Sequence, residues 1–338
     1  MEWWQALVLL LGTMLLLMLS GVPVLISFLL VDLVGAFLFM GGEAGLRQLI
    51  LNVQESLTSF SLLPIPLFIL MGEVMFRSGV GFKAIEVVDH WIGRVPGRLS
   101  LVAIMSGTLL AAVSGSTVAS TALLGEILIP EMQKRGYKHE MSIGPILGTG
   151  GLAMLIPPSA LAIVLAALCD ISIGGLLVAG IVPGIMIACF MAVYVITRCW
   201  LQPEIAPPYY VESVPFGRKI RETVVNVLPL GLIIFLVVGL IFLGVATPSE
   251  AAALGSLGTF AVALMLGRMN FRILSDCVMG TVKITSMIFL IIVGSMTFSQ
   301  ILAFSGASSG LIQAVMSFDL SPFMVLLLMQ LMLLVLGC

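Results

Sequence analysis

Charged side chains are scarce in this sequence of 338 residues, because Asp, Glu, Lys and Arg make up only 9% of it while 60% of the residues are hydrophobic. Soluble domains carry about 25% charged residues. So few charges cannot build a surface that faces water, and we expect the outer surface to face the lipid bilayer. The net charge of −2 also argues against a nucleic-acid partner.

Sequence patterns of known catalytic and metal sites are missing as well. The chain has two histidines and five cysteines, and no two cysteines have the C-x-x-C spacing of a zinc or redox site. We find no G-x-S-x-G, no H-E-x-x-H and no phosphate-binding-loop motif. These absences argue against a soluble hydrolase or an ATPase. An intramembrane enzyme would need a paired catalytic constellation at one depth, and the sequence shows none. We therefore expect a protein that is not an enzyme, and no organic cofactor is expected.

The lysines and arginines occur in groups, and these groups predict the topology. Residues 139–197 and residues 222–267 contain no cation, and none follows Lys283. Positive residues are retained on the cytoplasmic side of a membrane, so each group marks a cytoplasmic loop. Each of the two cation-free stretches is long enough to cross the bilayer outward and back.

Residues 99–130 behave differently, because cations flank both ends of a stretch that is too short for two spans. This pattern predicts a re-entrant hairpin that turns at Ser114, Gly115, Ser116 and Thr117. Non-helical backbone at membrane depth is tolerated only against protein or a watery cavity. Uncharged oxygen ligands suit Na⁺, and helix N-termini attract carboxylates. Helix packing through small residues is the alternative interpretation of this turn.

A second candidate element lies at residues 148–159, inside a cation-free stretch. Its glycines and the pair Pro157-Pro158 disfavour a continuous helix. We therefore predict a helix broken near the middle of the membrane, with freed carbonyl groups pointing inward. Discontinuous helices of this kind bind ions and substrates in secondary transporters. A kinked helix satisfied by its neighbours is the alternative.

The N-terminal apolar region, residues 5–40, is too long for one transmembrane helix, since 36 helical residues would extend about 54 Å. The break at residues 20–23 (SGVP) predicts two helical pieces. Residues 44–60 look amphipathic and are predicted to form an interfacial or bundle-facing arm. Asp32 lies within the apolar region and has no explanation from the sequence alone.

Two short patterns predict local structure. Thr247, followed by a proline and by Glu250 three residues later, predicts a capped helix start, and substrate contact there is the less favoured alternative. Glu73 and Arg77 have helical spacing, which favours a structural ion pair over a proton relay.

Three motifs together resemble the large membrane subunit of tripartite ATP-independent periplasmic (TRAP) transporters, the DctM-like permease. They are residues 114–121 (SGSTVAST), residues 151–159 (GLAMLIPPS) and residues 247–253 (TPSEAAA). Each motif is moderately specific, but their order and spacing are strongly so, and the likeness covers essentially the whole chain. The resemblance implies an all-α polytopic membrane protein with an inverted-repeat, elevator-type ion-transporter fold, re-entrant helical hairpins and broken helices.

The resemblance also implies a function and partners. It implies Na⁺-coupled import of organic acids, such as a C4-dicarboxylate or sialic acid, across the inner membrane of a bacterium or archaeon. The implied partners are a small four-helix membrane subunit (DctQ-like) and a periplasmic substrate-binding protein (DctP-like). A stand-alone Na⁺/dicarboxylate carrier and, less favoured, a channel remain alternatives.

Carried over to this chain, the family's first ion and substrate site falls on two short stretches. These residues are Ser114, Gly115, Ser116, Thr117, Gly150, Gly151, Pro157, Pro158 and Ser159. The candidate Na⁺ ligands among them are Ser114, Ser116, Gly151 and Pro157.

The resemblance divides the chain into two repeats. The first repeat, residues 1–200, would hold the N-terminal helices, the arm at 44–60, the re-entrant hairpin at 98–133, the broken helix at 140–168 and a helix at 175–198. Residues 201–221 would form a cytoplasmic connecting loop. Residues 222–338 would form an incomplete second repeat that ends near the tip of a second hairpin. Repeat symmetry then predicts about 80 further residues.

Overall fold

The computed structural model of the chain describes residues 1–93, 95–207, 214–318 and 321–336, apart from the side chains of residues 114, 335 and 336. All regular structure in these residues is helical, which confirms the predicted all-α class for the described part. Short 3₁₀ turns cover Phe60–Leu62 and Pro203–Ile205, and a π-helical turn covers Phe235–Gly239. The α-helices are, in chain order, α1 (Trp3–Leu19), α2 (Val24–Phe39), α3 (Glu43–Leu57), α4 (Pro64–Arg77), α5 (Val80–Trp91), α6 (Arg98–Ser114), α7 (Thr117–Lys134), α8 (His139–Leu155), α9 (Ala160–Leu168), α10 (Ile173–Leu201), α11 (Phe216–Asn226), α12 (Leu228–Ile234), α13 (Leu240–Phe242), α14 (Pro248–Met265), α15 (Phe271–Phe304), α16 (Ala307–Met316) and α17 (Pro322–Leu336).

Several helical segments are long and apolar enough to cross a membrane. Among the described residues there are four, and α8 with α9 makes a fifth if this bent pair counts as one span. In the most apolar stretch of α10 only 11% of the residues are buried, so most of its apolar surface must face lipid. The chain is therefore built as a multi-pass membrane protein. The four segments are Phe60–Arg77, Ile173–Leu201, Phe216–Phe242 and Phe271–Phe304.

The chain divides into two compact units, and unit 1 comprises residues 1–58 with residues 287–338. The predicted break at residues 20–23 is confirmed, since α1 ends at Leu19 and α2 begins at Val24. Gly21 turns the chain there with a φ of +84°, and Pro23 precedes the first residue of α2. The core of unit 1 is formed by Leu10, Met14, Val31, Ala36, Phe298 and Ile301.

Helix α3 covers most of the region predicted as an amphipathic arm, residues 44–60, and begins one residue before it. Its N-terminal end packs closely on α2, because a Cβ placed on Gly45 would lie 2.3 Å from the carbonyl oxygen of Ala36. Farther along, Gln48 donates a hydrogen bond to Asn52, and Asn52 donates to Gln300 of α15. Polar side chains therefore tie this arm to the second half of α15.

Unit 2 comprises residues 59–286, and its core lies between α6, α7, α8 and α10. Small residues allow these helices to approach one another closely. A Cβ on Gly107 of α6 would lie 2.6 Å from Cβ of Thr149 in α8, and one on Gly180 of α10 would lie 2.3 Å from the carbonyl oxygen of Leu155. The most buried large side chains here include Ile104, Leu124, Met132, Met141 and Ile146.

Two local predictions are confirmed within unit 2. Nε of Arg77 lies 2.5 Å from a carboxylate oxygen of Glu73, which is the expected ion pair one helical turn apart. Thr247 accepts a hydrogen bond from the backbone N–H of Glu250, and the Glu250 carboxylate accepts one from the backbone N–H of Thr247. This reciprocal pair is the capping box predicted for the start of α14.

The region predicted as a connecting loop, residues 201–221, is partly helical, because α11 begins at Phe216. Pro215 is the N-cap residue of α11, a position at the start of a helix where the missing N–H group of a proline breaks no helical hydrogen bond. Glu222 then accepts a hydrogen bond from Arg218 one turn earlier, and it lies 2.7 Å from His90 of α5. This contact with α5, which the local composition does not reveal, helps to stabilise α11.

Candidate functional site

The turn between α6 and α7 is built by one glycine and one serine. Gly115 follows the end of α6 with a φ of +58°, a left-handed conformation that glycine adopts without steric cost. Ser116 is extended, and its side-chain oxygen accepts a hydrogen bond of 3.3 Å from the backbone N–H of Ala119. The chain thus reverses within two residues, and α7 starts with a capped N-terminus.

The break between α8 and α9 is built by prolines. Pro157 and Pro158 have no N–H groups, so the carbonyl groups of Ala153 and Met154 lose their usual donors four residues later. The two helices are bent by 44° relative to each other. Ser159 caps α9 by accepting a hydrogen bond of 3.2 Å from the backbone N–H of Ala162.

The turn and the break lie against each other, and two glycines make this possible. A Cβ placed on Gly115 would lie 2.5 Å from the carbonyl oxygen of Pro158. A Cβ placed on Gly150 would lie 2.3 Å from Oγ1 of Thr121 and 3.6 Å from the carbonyl oxygen of Thr117. Neither approach leaves room for a side chain, so the hairpin tip is seated on the broken helix.

The structure brings together most of the residues predicted for the site. Gly115, Ser116 and Thr117 lie on the tip, and Gly150, Pro158 and Ser159 lie on the facing break. Gly151 is exposed and nothing lies within 4 Å of a Cβ placed on it, so a side chain at this position would not contact the tip. Pro157 is buried in the break, and the side chain of Ser114 lies outside the described residues.

Three residues of this region were not among the predicted site residues, although Thr121 and Thr149 lie within the two candidate elements at residues 114–121 and 148–159. Thr121 meets Gly150, and buried Thr149 meets Gly107, as described above. Ser106 of α6 is fully buried, and its Oγ has no hydrogen-bond partner among the described residues. The pair Ser106-Gly107 could have indicated the buried Ser106 and the close approach at Gly107, because it interrupts an apolar run about two helical turns before the tip.

The chemistry of the site is that of neutral oxygen atoms. Its side chains are hydroxyl groups, and its backbone offers the carbonyl groups of Thr117 and Pro158 near the two glycines. Among the described residues no group of three or more His, Cys, Asp or Glu side chains could hold a metal ion. Uncharged oxygens suit a hard cation of low charge better than a transition metal. Helices α7 and α9 also begin at this site, and their N-termini favour negatively charged ligands.

Comparisons with known proteins agree with this architecture. Residues 11–338 match the DctM component of the tripartite ATP-independent periplasmic transporters. The chain is 32% identical, over 86% of its length and 67% of the relative's, to the C4-dicarboxylate TRAP transporter large permease protein DctM of Pseudomonas aeruginosa. It is 31% identical, over 90% of its length and 70% of the relative's, to the ectoine TRAP transporter large permease protein TeaC of Halomonas elongata.

A third relative, the C4-dicarboxylate TRAP transporter large permease protein DctM of Rhodobacter capsulatus, is 28% identical over 96% of this chain and 76% of its own length. The chain thus spans about two thirds to three quarters of these relatives. All-helical structure, apolar spans and the match over residues 11–338 lead to one conclusion. The chain belongs to the DctM family, the large permease subunits of TRAP transporters, and it is a transport protein rather than an enzyme.

Proposed function

We propose that this permease couples the import of a small carboxylate to Na⁺, and that the ion binds where the α6–α7 tip meets the α8–α9 break. The observation that carries the proposal is the approach of Gly115 to the carbonyl oxygen of Pro158. The carbonyl oxygen of Pro158 lies at this contact, Ser116 and Ser159 are the residues next to the two that meet, and residues 111–121 and 148–160 contain no charged side chain. Such a site gains its positive charge only when the ion binds, so a carboxylate would bind more tightly afterwards.

The same geometry and the names of two relatives support a substrate class for this proposal. Helices α7 and α9 both begin at the site, and helix N-termini stabilise carboxylates. Two of the relatives are named for C4-dicarboxylates. We propose an organic acid of this kind, a C4-dicarboxylate, sialic acid or a similar carboxylate, as the transported molecule.

The partners are proposed from the tripartite family. A DctQ-like membrane subunit with four helices would bind this chain in the inner membrane of the cell, and a DctP-like periplasmic protein would deliver the substrate. An apolar groove between α1 and α2, lined by leucines and valines such as Leu9, Leu17 and Val34, is suited to a lipid-embedded helix of the small subunit.

The inverted-repeat, elevator-type architecture is also a proposal. The hairpin α6–α7 and the broken helix α8–α9 are the elements that the first repeat requires.

The test is the effect of Na⁺ on the unfolding midpoint of the purified chain, with choline chloride replacing NaCl at constant ionic strength. Ser116→Ala and Ser159→Ala each remove one hydroxyl from the site. Ser172→Ala is the matched control, because Ser172 caps α10 with the same kind of hydrogen bond, 3.1 Å to the N–H of Gly175, but lies outside the site. We expect Na⁺ to raise the midpoint of the wild type and of Ser172→Ala and to raise the other two midpoints less. Equal Na⁺ shifts in all four proteins would contradict the site.

A further inference from the structure

Unit 1 contains an ionisable side chain that the proposed transport site does not use. Asp32 of α2 is only 4% exposed, and its Oδ1 has no hydrogen-bond partner among the described residues. No described Lys, Arg or His lies within ion-pair distance of it. An isolated buried carboxylate is strongly disfavoured, so it must either bind a positive charge or lose its own.

Asp32 faces the interface between α2 and the second half of α15. The rings of Phe28 and Phe298 stack edge to face at 5.8 Å, and a Cβ on Gly294 would lie 2.7 Å from Cβ of Phe28. Seven residues farther along both helices, a Cβ on Gly35 would lie 2.8 Å from Cγ2 of Ile301. The helices therefore run in the same direction and stay in close contact over two turns.

Thr297 lies at the same level of this interface. Asp32 is four residues beyond Phe28, about 6 Å along α2, and Thr297 is three residues beyond Gly294, about 4.5 Å along α15. Their levels therefore differ by only about 1.5 Å. Positions 28, 32 and 35 share one face of α2, and positions 294, 297 and 301 share one face of α15. Both side chains thus belong to the contacting faces.

The hydroxyl group of Thr297 is also unsatisfied. Thr297 is 2% exposed, and its Oγ1 has no hydrogen-bond partner among the described residues. A threonine inside a helix commonly donates to the carbonyl group four residues earlier. Thr281 of the same helix does so, with Oγ1 2.8 Å from the carbonyl oxygen of Cys277. Two buried, unpartnered oxygen-bearing side chains at one level are unusual, because buried polar groups normally have partners.

The surroundings supply no counter-charge. Helix α1 and the part of α15 in unit 1, residues 287–304, contain no charged residue. The charged side chains of α3 are Glu43, Arg47 and Glu55, and all three are exposed. The core that α1, α2 and α15 form in unit 1 is instead apolar and includes Leu10, Val31 and Phe298.

We propose that Asp32 and Thr297 form a binding site for one small monovalent cation, a proton or Na⁺, inside unit 1. The cation neutralises the carboxylate, and the Thr297 hydroxyl provides a further oxygen at the same level. One carboxylate matches one positive charge, whereas a divalent ion would need more acidic ligands than the described residues offer. Bound cation would join α2 to α15, so the site would stabilise the core of unit 1.

The test compares the purified wild type with Asp32→Asn by unfolding midpoint and unfolding equilibrium constant. One series replaces choline chloride by NaCl at constant pH and ionic strength, and a second series varies the pH in choline chloride alone. At cation concentrations above the dissociation constant of the folded site, we expect the unfolding constant of the wild type relative to Asp32→Asn to fall by up to tenfold for each tenfold rise in the concentration of the cation that binds, because Asp32→Asn lacks the site. For a proton, this dependence holds only above the pH at which the Asp32 carboxylate of the unfolded chain is itself protonated. A response confined to the first series identifies Na⁺, and one confined to the second identifies a proton.

Controls separate this site from the tip and from general effects of substitution. Asp170→Asn removes an exposed carboxylate, and Thr281→Val removes a hydroxyl that is already satisfied within α15, so both should keep the wild-type cation response. Thr297→Val should need a higher cation concentration for the same stabilisation, and it remains informative if Asp32→Asn does not fold. A Na⁺ response at the α6–α7 tip would be retained in Asp32→Asn, since those residues are unchanged. Parallel responses of wild type, Asp32→Asn and Thr297→Val in both series, or a higher midpoint for Asp32→Asn under every condition, would overturn the proposal.

Discussion

Unit 2 interrupts its helices at two neighbouring places, and the two interruptions end the preceding helix by different means. At the tip, Gly115 adopts a φ of +58° that costs residues with a side chain about 1–2 kcal/mol. At the break, Pro157 and Pro158 end α8 because they cannot donate hydrogen bonds. The residues that start the following helices have nearly the same backbone conformation. The angles φ and ψ are −119° and 117° at Ser116, before α7, and −120° and 114° at Ser159, before α9.

This difference separates two requirements of one site. The tip depends on the absence of a side chain, because Gly115 lies against a carbonyl group of the break. The break depends on the absence of N–H groups, which leaves carbonyl oxygens without helical partners. Substitutions that add volume should therefore lower the stability of the fold at Gly115 and Gly150, where the two elements meet. The same substitution at Gly151, the residue after Gly150, should not.

The largest effect is expected for Gly115→Ala. The new methyl group would meet the carbonyl oxygen of Pro158 at 2.5 Å, and the residue would keep a positive φ. Strain of about 1–2 kcal/mol and overpacking of about 1–3 kcal/mol together predict a loss of about 2–5 kcal/mol in unfolding free energy. The matched control is Gly125→Ala in the same hairpin, where the nearest atom, Cδ1 of Ile129, is 3.6 Å away. Gly125→Ala should stabilise the chain by up to about 1 kcal/mol. Chemical denaturation in detergent measures both, and a shared sign would refute the claimed contact.

A smaller effect is expected at the other side of the contact, for Gly150→Ala. Its methyl group would lie 2.3 Å from Oγ1 of Thr121, which predicts a loss of about 1–3 kcal/mol. Gly151→Ala adds the same methyl group to the next residue of α8, where nothing lies within 4 Å, and should be neutral or slightly stabilising.

The pair Gly150→Ala with Thr121→Ala sharpens this test. Removing the threonine hydroxyl should restore part of the stability, so the double variant should be more stable than the sum of the two single effects by about 0.5–3 kcal/mol. Strict additivity of the two substitutions, measured by the same denaturation series, would mean that the tip and the break do not meet at this position.

The sequence was sufficient to predict both interruptions, because each depends on local chemistry. A glycine among hydroxyl residues predicts a turn, and a Pro-Pro pair predicts a break. The helix start at Thr247 and the pair Glu73–Arg77 were predictable for the same reason, since their partners are three or four residues apart.

Tertiary contacts were not predictable from one sequence. Gly150 and Gly151 are identical in type, and only the packing of α8 shows that the first meets the tip while the second is exposed. The start of α11 inside a predicted loop depends in part on a contact with His90, more than 100 residues away. Asp32 was noticed as an unusual residue, but its level relative to Thr297 follows from the contacts between α2 and α15.

The smallest expected effect tests whether the helix that follows each interruption is capped to the same extent. Ser116→Ala and Ser159→Ala each remove the side-chain oxygen that caps a helix, and both residues have nearly the same backbone angles. In choline chloride we therefore expect each to lose about 1 kcal/mol of unfolding free energy, as does Ser172→Ala at the start of α10.

Equal costs in the absence of Na⁺ would mean that Ser116 and Ser159 act only as caps in the empty site, so any additional loss that appears in NaCl can be assigned to the ion. A clearly larger cost for Ser116→Ala in choline chloride would instead mean that its hydroxyl supports the contact between tip and break. The tip would then differ from the break in a second way, because it would depend on the Ser116 side chain as well as on the absence of a side chain at Gly115. Denaturation of the three variants in the two salts, with the wild type alongside, distinguishes these outcomes.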